Sequence, residues 1–445
     1  MSAGMPDAGR QMACRVCARP LNRYVDLDTG KASYLHPLDM RGATMPAHEP
    51  EPVPADQIDT DHVCDFCSDR KIVYAYRVRP VETVMDGPGG RLVQHYGSDW
   101  SACIDCAHLL EAGDLNALHA RIMRNGGFRE RQVADQLRLF LRDVFAGLRP
   151  GRTVLAIGRW EPVPLPAPIL PRVRDRLADL LRGPDHLPAD LDAPDLRARL
   201  ADGLRTAHLY WIDPQFTDLA VHAAEALPDR PITAHPPAPH GLIAWAGPVG
   251  QRNDTVAATW TTGPDGIDIV GYRSIGAGLD GASLQRLREQ VGWLTPRSHR
   301  HMPAGTPVDA DDSTTAVVVA TWLLIAQKLA ETVESDVDRS IRRAYQRSGR
   351  PAPQVRLVRI RGTAPLPAAS ASAPRRSGDA PTVERTYRWW VRGHWRNQPY
   401  GPGRARHRWI FIDPQLRGPD DKPIKASTTV RILGTHQQPP HTNDG

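Results

Sequence analysis

"CDFCSDRKIVYAYRV", residues 64–78, sets two cysteines two residues apart just before a run of β-branched and aromatic residues. A second pair follows at "CIDC", residues 103–106, after another strand-like stretch at 91–96. A two-residue gap lets a tight turn aim both thiolates at one ion, and two such turns complete a tetrahedral site. The spacing C-x2-C-x35-C-x2-C, with strand sequence in its loop, predicts a zinc ribbon held by Cys64, Cys67, Cys103 and Cys106. All six cysteines of the chain stand in such pairs, the third being Cys14 and Cys17. Two histidines downstream in "YLHPLDMRGATMPAHEPEPV", His36 and His48, would complete a set of two cysteines and two histidines, with His62 as a rival ligand. Two Zn2+ ions are therefore expected. Both are structural, because four protein ligands leave no open position for water or substrate. Disulfides are the alternative, but "MSAGMPDAGRQMAC" has no signal-like apolar core, so a cytoplasmic protein with reduced thiols is expected.

Outward from the cysteines, the pattern predicts an α+β protein of several domains. Residues 1–125 form the zinc-binding module, and 126–160 a helical connector in which Val133, Leu137, Phe140, Val144 and Leu148 recur at helical spacing. "EPVPLPAPILP", 161–171, cannot continue a helix and marks a boundary. An α/β domain over 172–350 has helices at 172–182, 194–206 and 215–226 and strands at 208–213, 241–247, 255–262 and 266–274. One long helix is expected from "DADDSTT" to about Tyr345. A basic β-sheet domain over 351–437 has strands at 354–361, 385–395, 407–413 and 428–433, and a disordered Pro/Ala/Ser-rich insert at 362–381. The most apolar run, 316–326, is shorter than the ~20 residues that span a bilayer, so no membrane partner is expected.

Composition adds a bias and an asymmetry. Of 56 cationic residues only five are lysine (Lys31, Lys71, Lys328, Lys422, Lys425), leaving 51 arginines, which points to a high-GC genome. From Arg339 to the end there are 21 cationic and six acidic residues, a balance of +15. The net charge of +6 then leaves −9 for residues 1–338. A basic end on an otherwise acidic chain suggests a polyanionic partner, RNA or DNA.

Two passages carry a resemblance. "CDFCSDRKIVYAY" with "DWSACIDCAHLLEAGDLNAL", and "WWVRGHWRNQPYGPGRARHRWIFIDPQLRGPDDKP", resemble a group of uncharacterised proteins from actinobacteria and their plasmids and phages. The middle region is similar more loosely, through "PHGLIAW". The resemblance implies an actinobacterial or mobile-element context and brings no functional residues with it.

The second passage also has a reading of its own. Period-two alternation puts Tyr387, Trp389, Val391 and Trp395 on one face, and Arg388, Trp390, Arg392, His394 and Arg396 on the other. A turn at "NQPYGPG" returns Arg404, Arg406, His407 and Arg408 to the same end of a hairpin. Cations around an aromatic neutralise phosphates and stack bases. The preferred function is a zinc-stabilised nucleic-acid-binding or regulatory protein with this sheet as its platform and no assigned catalytic residue. A metal-independent ribonuclease of RelE or barnase-like layout is the alternative. His394 or His407 would then be the acid or base, Arg392, Arg396 and Arg408 would stabilise charge, and Tyr400 would orient substrate. A zinc-containing adaptor without nucleic acid is the third possibility.

Overall fold

The computed structural model describes residues 12–26, 29–36, 48–58, 62–87, 90–127, 129–155, 157–228, 235–306, 312–361, 389–391, 393–412 and 415–417. The chain is mixed α/β, with helices and several separate sheets, and it divides into two compact units. The first comprises residues 1–163, 172–206 and 270–299; the second comprises 164–171, 207–269 and 300–445. The insert expected at 362–381 and the strand expected at 428–433 lie outside the described residues.

The first unit is built around the cysteine turns. Ile72–Val78 is the middle strand of an antiparallel three-stranded sheet, between Asp99–Cys103 and Leu148–Val154. Its residues Ile72, Val73, Tyr74, Tyr76 and Val78 are buried, as its β-branched and aromatic composition requires. A second sheet runs in the order Pro52–Pro54, Met12–Cys14, Pro20–Asp26, Gly90–Tyr96, Val81–Gly87, and Ala32–Leu35 also pairs with Pro20–Asp26. Helices Ile104–Glu111, Leu115–Gly126 and Arg131–Gly147 follow the second cysteine pair. Asp114 caps the middle one by accepting from the Ala117 N–H at 2.9 Å, and Gly127, at φ +65°, ends it in the left-handed region.

The second unit holds most of a seven-stranded mixed sheet. Its order is Leu294–Pro303, Gly266–Ser274, Thr255–Gly263, His240–Val249, His208–Ile212, Val355–Ile360, Ala330–Ser335. His208–Ile212 runs parallel to both neighbours, and the helix Pro214–Glu225 makes the crossover to His240–Val249. Asp213 caps that helix on the Phe216 N–H at 2.7 Å, with Pro214 supplying a preset φ at its first position. The strands His240–Val249 and Thr255–Gly263 are buried over long continuous runs, as strands covered on both faces are. Gly241 is obligatory here: a Cβ would lie 2.1 Å from the Trp260 ring. Phe216, Leu219, Ala220 and Ala223 pack with Val317–Trp322 of the helix Ser313–Ile325 over Trp245 and Trp260 to form the core. Among the described residues no helix is long and apolar enough to cross a membrane.

Two expectations need correction. The long helix from 309 to 345 is three elements: the helix Ser313–Ile325, the strand Ala330–Ser335 and the helix Arg339–Arg347. The first helix is buried almost all round and ends at Ile325, capped by Ala326 at the close of the apolar run. Beyond it, "AETVES" is mostly polar, and it pairs antiparallel with Val355–Ile360 at the edge of the sheet. The second correction concerns the terminal sheet. Val355–Ile360 belongs to the seven-stranded sheet instead, and the strand expected at 385–395 is divided. Trp389–Val391 pairs with Gln415–Arg417, whereas His394–Tyr400 pairs with Arg406–Ile412.

Candidate metal centres

Both cysteine turns have the same local construction. The Cys14 carbonyl accepts the Ala18 N–H at 2.8 Å, and the Cys64 carbonyl accepts the Ser68 N–H at 2.8 Å. The residue after each second cysteine turns left-handed, Ala18 at φ +56° and Ser68 at φ +58°. The chain then returns: the Cys14 N–H reaches the Arg19 carbonyl at 2.8 Å, and that of Cys64 reaches Asp69 at 2.7 Å. Each turn thus points two sulfurs the same way while satisfying its own backbone.

Cys103 closes the strand Asp99–Cys103 and precedes the first turn of the helix Ile104–Glu111, which carries Cys106. Register brings Cys103 opposite Ile72, so the strand pair delivers the second cysteine pair to the first. The sulfurs of Cys64, Cys67, Cys103 and Cys106 lie within 4.8 Å of one another and all four residues are buried. Cys67 and Cys103 sulfurs are 3.6 Å apart, too far for a disulfide bond, and all six cysteines are free thiols. Hydrogen bonds from Cys103, Cys106 and Cys64 hold the Cys67 thiol far below its usual range, whereas burial pushes Cys64 well above it. Cys106 is also pushed up, chiefly by its bond with Cys103. Four such sulfurs ionise together only around a cation.

The other cluster joins Cys14 and Cys17 to His36, just after Ala32–Leu35, and to His48. His36 Nε2 is 3.4 Å from the Cys17 sulfur and His48 Nε2 is 3.4 Å from the Cys14 sulfur. The two rings meet edge to face at 4.9 Å, so all four ligand atoms converge within 4.8 Å. Burial works upward on Cys14, but hydrogen bonds from the Glu51 and Cys17 backbones bring it down to about 6. Burial, reinforced by the Cys14 sulfur, raises Cys17. Both clusters could hold a metal ion, and His62 belongs to neither.

Arg121 and Asp105 escaped the sequence reading. An Arg121 N–H points at the Cys103 sulfur at 3.8 Å, and the same guanidinium pairs with Asp105 at 3.0 Å. Asp105 sits between Cys103 and Cys106 and also holds Arg286 at 2.5 Å and the Ser283 hydroxyl at 2.5 Å. Asp105 could have been flagged by its place inside the cysteine pair. Nothing local marks Arg121.

The hairpin places its residues less simply than alternation predicts. Register puts His394, Arg396, Tyr400, Arg406 and Arg408 on one face, and His407 on the other with Trp395. His394, Arg396, Arg406, His407 and Arg408 are all exposed, and Arg408 lies over the Tyr400 ring at 5.3 Å. Trp395 is buried, meets Phe411 edge to face at 5.3 Å and donates its indole N–H to the Ala223 carbonyl at 2.7 Å. Trp390 lies on the short strand paired through Leu416, while Arg388 and Arg392 fall outside the described residues.

Comparison with known proteins bears on the other half of the chain. Residues 210–418 match the model of an AcrVA2-like family, described as the anti-CRISPR type V subtype A2 family. That segment resembles an anti-CRISPR. It covers under half of the 445 residues, begins within the strand His208–Ile212 and takes in the hairpin, leaving both cysteine clusters upstream. No curated protein and no solved structure matches. The match overturns the expected function, a nucleic-acid-binding or regulatory factor with the hairpin sheet as its platform, and its ribonuclease alternative, because the family that covers that sheet is an anti-CRISPR family. The layout fails the ribonuclease as well, since the expected four-stranded sheet does not assemble among the described residues.

Proposed function

We propose that this chain is an anti-defence protein of phage or mobile-element origin, protecting invading DNA from a type V CRISPR system. The observation that carries the reading is the similarity of residues 210–418 to an anti-CRISPR type V family. That span includes most of the seven-stranded sheet, its two core helices and the hairpin. An actinobacterial source belongs to the same proposal, supported by the preference for arginine over lysine. The ions are Zn2+: one set of four cysteines, and one of two cysteines with two histidines, suit a borderline-soft tetrahedral cation with no open coordination position. They hold the N-terminal turns together and take no part in chemistry. The protein would act in the cytoplasm, where its thiols stay reduced.

The test is phage infection of bacteria carrying an active type V system directed at that phage, with and without the full chain. Plaquing should recover by orders of magnitude when the chain is present, and should not change in cells lacking the system. Unchanged plaquing despite abundant folded protein would refute the reading.

A further inference from the structure

The helix Arg339–Arg347 has an exposed cationic face that pairs with no carboxylate among the described residues. Ile341 and Tyr345 are its two buried residues, and they anchor it. The Tyr345 hydroxyl reaches the Pro171 carbonyl at 3.4 Å, and the Arg350 guanidinium stacks on the Tyr345 ring at 4.0 Å. Everything else on the helix faces solvent, including Arg339, Arg342, Arg343 and Arg347. Elsewhere in the chain arginines find carboxylates: Arg121, Arg152, Arg182, Arg197 and Arg286 each hold one within 3.0 Å. Arg342, Arg343 and Arg347 hold none among the described residues.

Their spacing is regular. Arg339, Arg343 and Arg347 follow each other at i, i+4, i+8, about 6 Å per step along the axis. Between the side chains runs a shallow groove of about 380 Å3, lined by Ser340, Arg343, Gln346 and Arg347. Every one of these side chains can donate a hydrogen bond and none is a carboxylate. Asp336 and Asp338 stand at the N-terminal end, so the positive field is strongest over the last two turns.

We propose that this face is a docking surface for the phosphodiester backbone of RNA. The absence of any large apolar side chain on the exposed face decides against an acidic protein. A protein interface needs a desolvated apolar or aromatic anchor at its centre, whereas phosphate contacts rest on charge and hydrogen bonds. The exposed residues of this helix supply only the second kind. Guanidinium forks on a rigid helix engage phosphate oxygens bidentately, with Ser340 and Gln346 adding neutral donors. The charge of Arg343 and Arg347 meets a phosphate whatever base it carries, so the salt-dependent part of the binding is to the backbone. This surface lies away in sequence from the hairpin, and its argument does not depend on the anti-defence reading.

The test uses the purified full chain and a labelled single-stranded RNA of mixed sequence, titrated by fluorescence anisotropy over a range of salt. The double variant Arg343→Gln/Arg347→Gln should weaken binding about ten-fold or more at low salt. It should also lower the slope of log affinity against log salt by about 1.4, two phosphate contacts at ~0.7 each. Arg343→Lys/Arg347→Lys should keep the slope, since the charges remain. Metal content and thermal melting, measured on the same samples, should match the parent and show the fold intact. Arg406→Gln/Arg408→Gln on the hairpin should leave the slope unaltered. Unchanged affinity in the glutamine variant overturns the proposal. So does loss of binding through the hairpin variant alone, or binding of an acidic polypeptide, polyglutamate, that RNA cannot displace.

Discussion

Trp395→Ala tests whether the C-terminal hairpin is part of the core or an appendage. The indole is buried at 8% exposure, packs edge to face on Phe411 and belongs to the same cluster as Trp245, Trp260 and Trp322. Truncating a buried tryptophan costs about 3–5 kcal/mol through lost transfer energy and an incompletely collapsed cavity. Within that total, the edge-to-face pair contributes about 0.5–1.5 kcal/mol, and the bond to Ala223 about 0.5–1.5 kcal/mol. Trp395→Phe keeps most of the packing but gives up the bond, so it should cost about 1–2 kcal/mol. For a unit of this size, each kcal/mol moves the melting temperature by roughly 2–4 °C. The alanine variant should therefore melt roughly 6–20 °C lower, and the phenylalanine variant only a few degrees lower, by calorimetry. A Trp395→Phe/Phe411→Leu cycle should show the pair's coupling. If Trp395→Ala melted with the parent protein, the hairpin would be an independent arm and its place in the core would be wrong.

Three further outcomes follow from particular contacts. Elemental analysis should find two zinc ions per chain, and Cys64→Ser/Cys103→Ser should retain one while the region around residues 64–154 becomes protease-sensitive; a parent chain without metal would refute the clusters as centres. Gly241→Ala must push a fully buried Trp260 ring and should cost about 1–3 kcal/mol in a denaturant titration, an unchanged midpoint being the refuting result. Arg152 holds Asp185 at 2.9 Å and Glu111 at 2.6 Å and lies over the Tyr74 ring, so Arg152→Met takes the cation from two carboxylates and, among the described residues, leaves Glu111 only the Tyr76 hydroxyl. It should lose about 3–5 kcal/mol, and a loss below about 1 kcal/mol would show that solvent already screens the network.

What could be read from the sequence was local. The periodic apolar residues of 130–147 describe the helix Arg131–Gly147, and the runs at 255–262 and 266–274 are the strands Thr255–Gly263 and Gly266–Ser274 within a residue at each end. The cysteine clusters were legible because the knuckle geometry needs only a two-residue gap, which spacing records directly. His36 and His48 were harder, since their distance in sequence from Cys14 and Cys17 follows no fixed interval. What failed was long-range. Val355–Ile360 has the composition of any strand, and nothing in it says that it pairs with His208–Ile212 rather than with the hairpin. Alternation places Trp395 inside correctly, but one continuous strand over 385–395 does not match Trp389–Val391 and His394–Tyr400, which pair with different partners. Arg121 reaches the Cys103 sulfur only because two helices pack as they do, and one-dimensional patterns carry no such information.

The parallel placement of His208–Ile212 between His240–Val249 and Val355–Ile360 has a consequence during synthesis. A chain leaving the ribosome from its N-terminus presents both cysteine clusters long before Val355 is made, so the ions proposed for them would be captured while elongation continues. The strand His208–Ile212, by contrast, gains its first neighbour early and then waits with its other edge open until residues 355–360 emerge. An open edge of backbone donors and acceptors invites pairing with foreign strands. Productive expression of this protein thus depends on what shields that edge in the interval, and slowing elongation ahead of residue 355 would lengthen the exposure and favour aggregation.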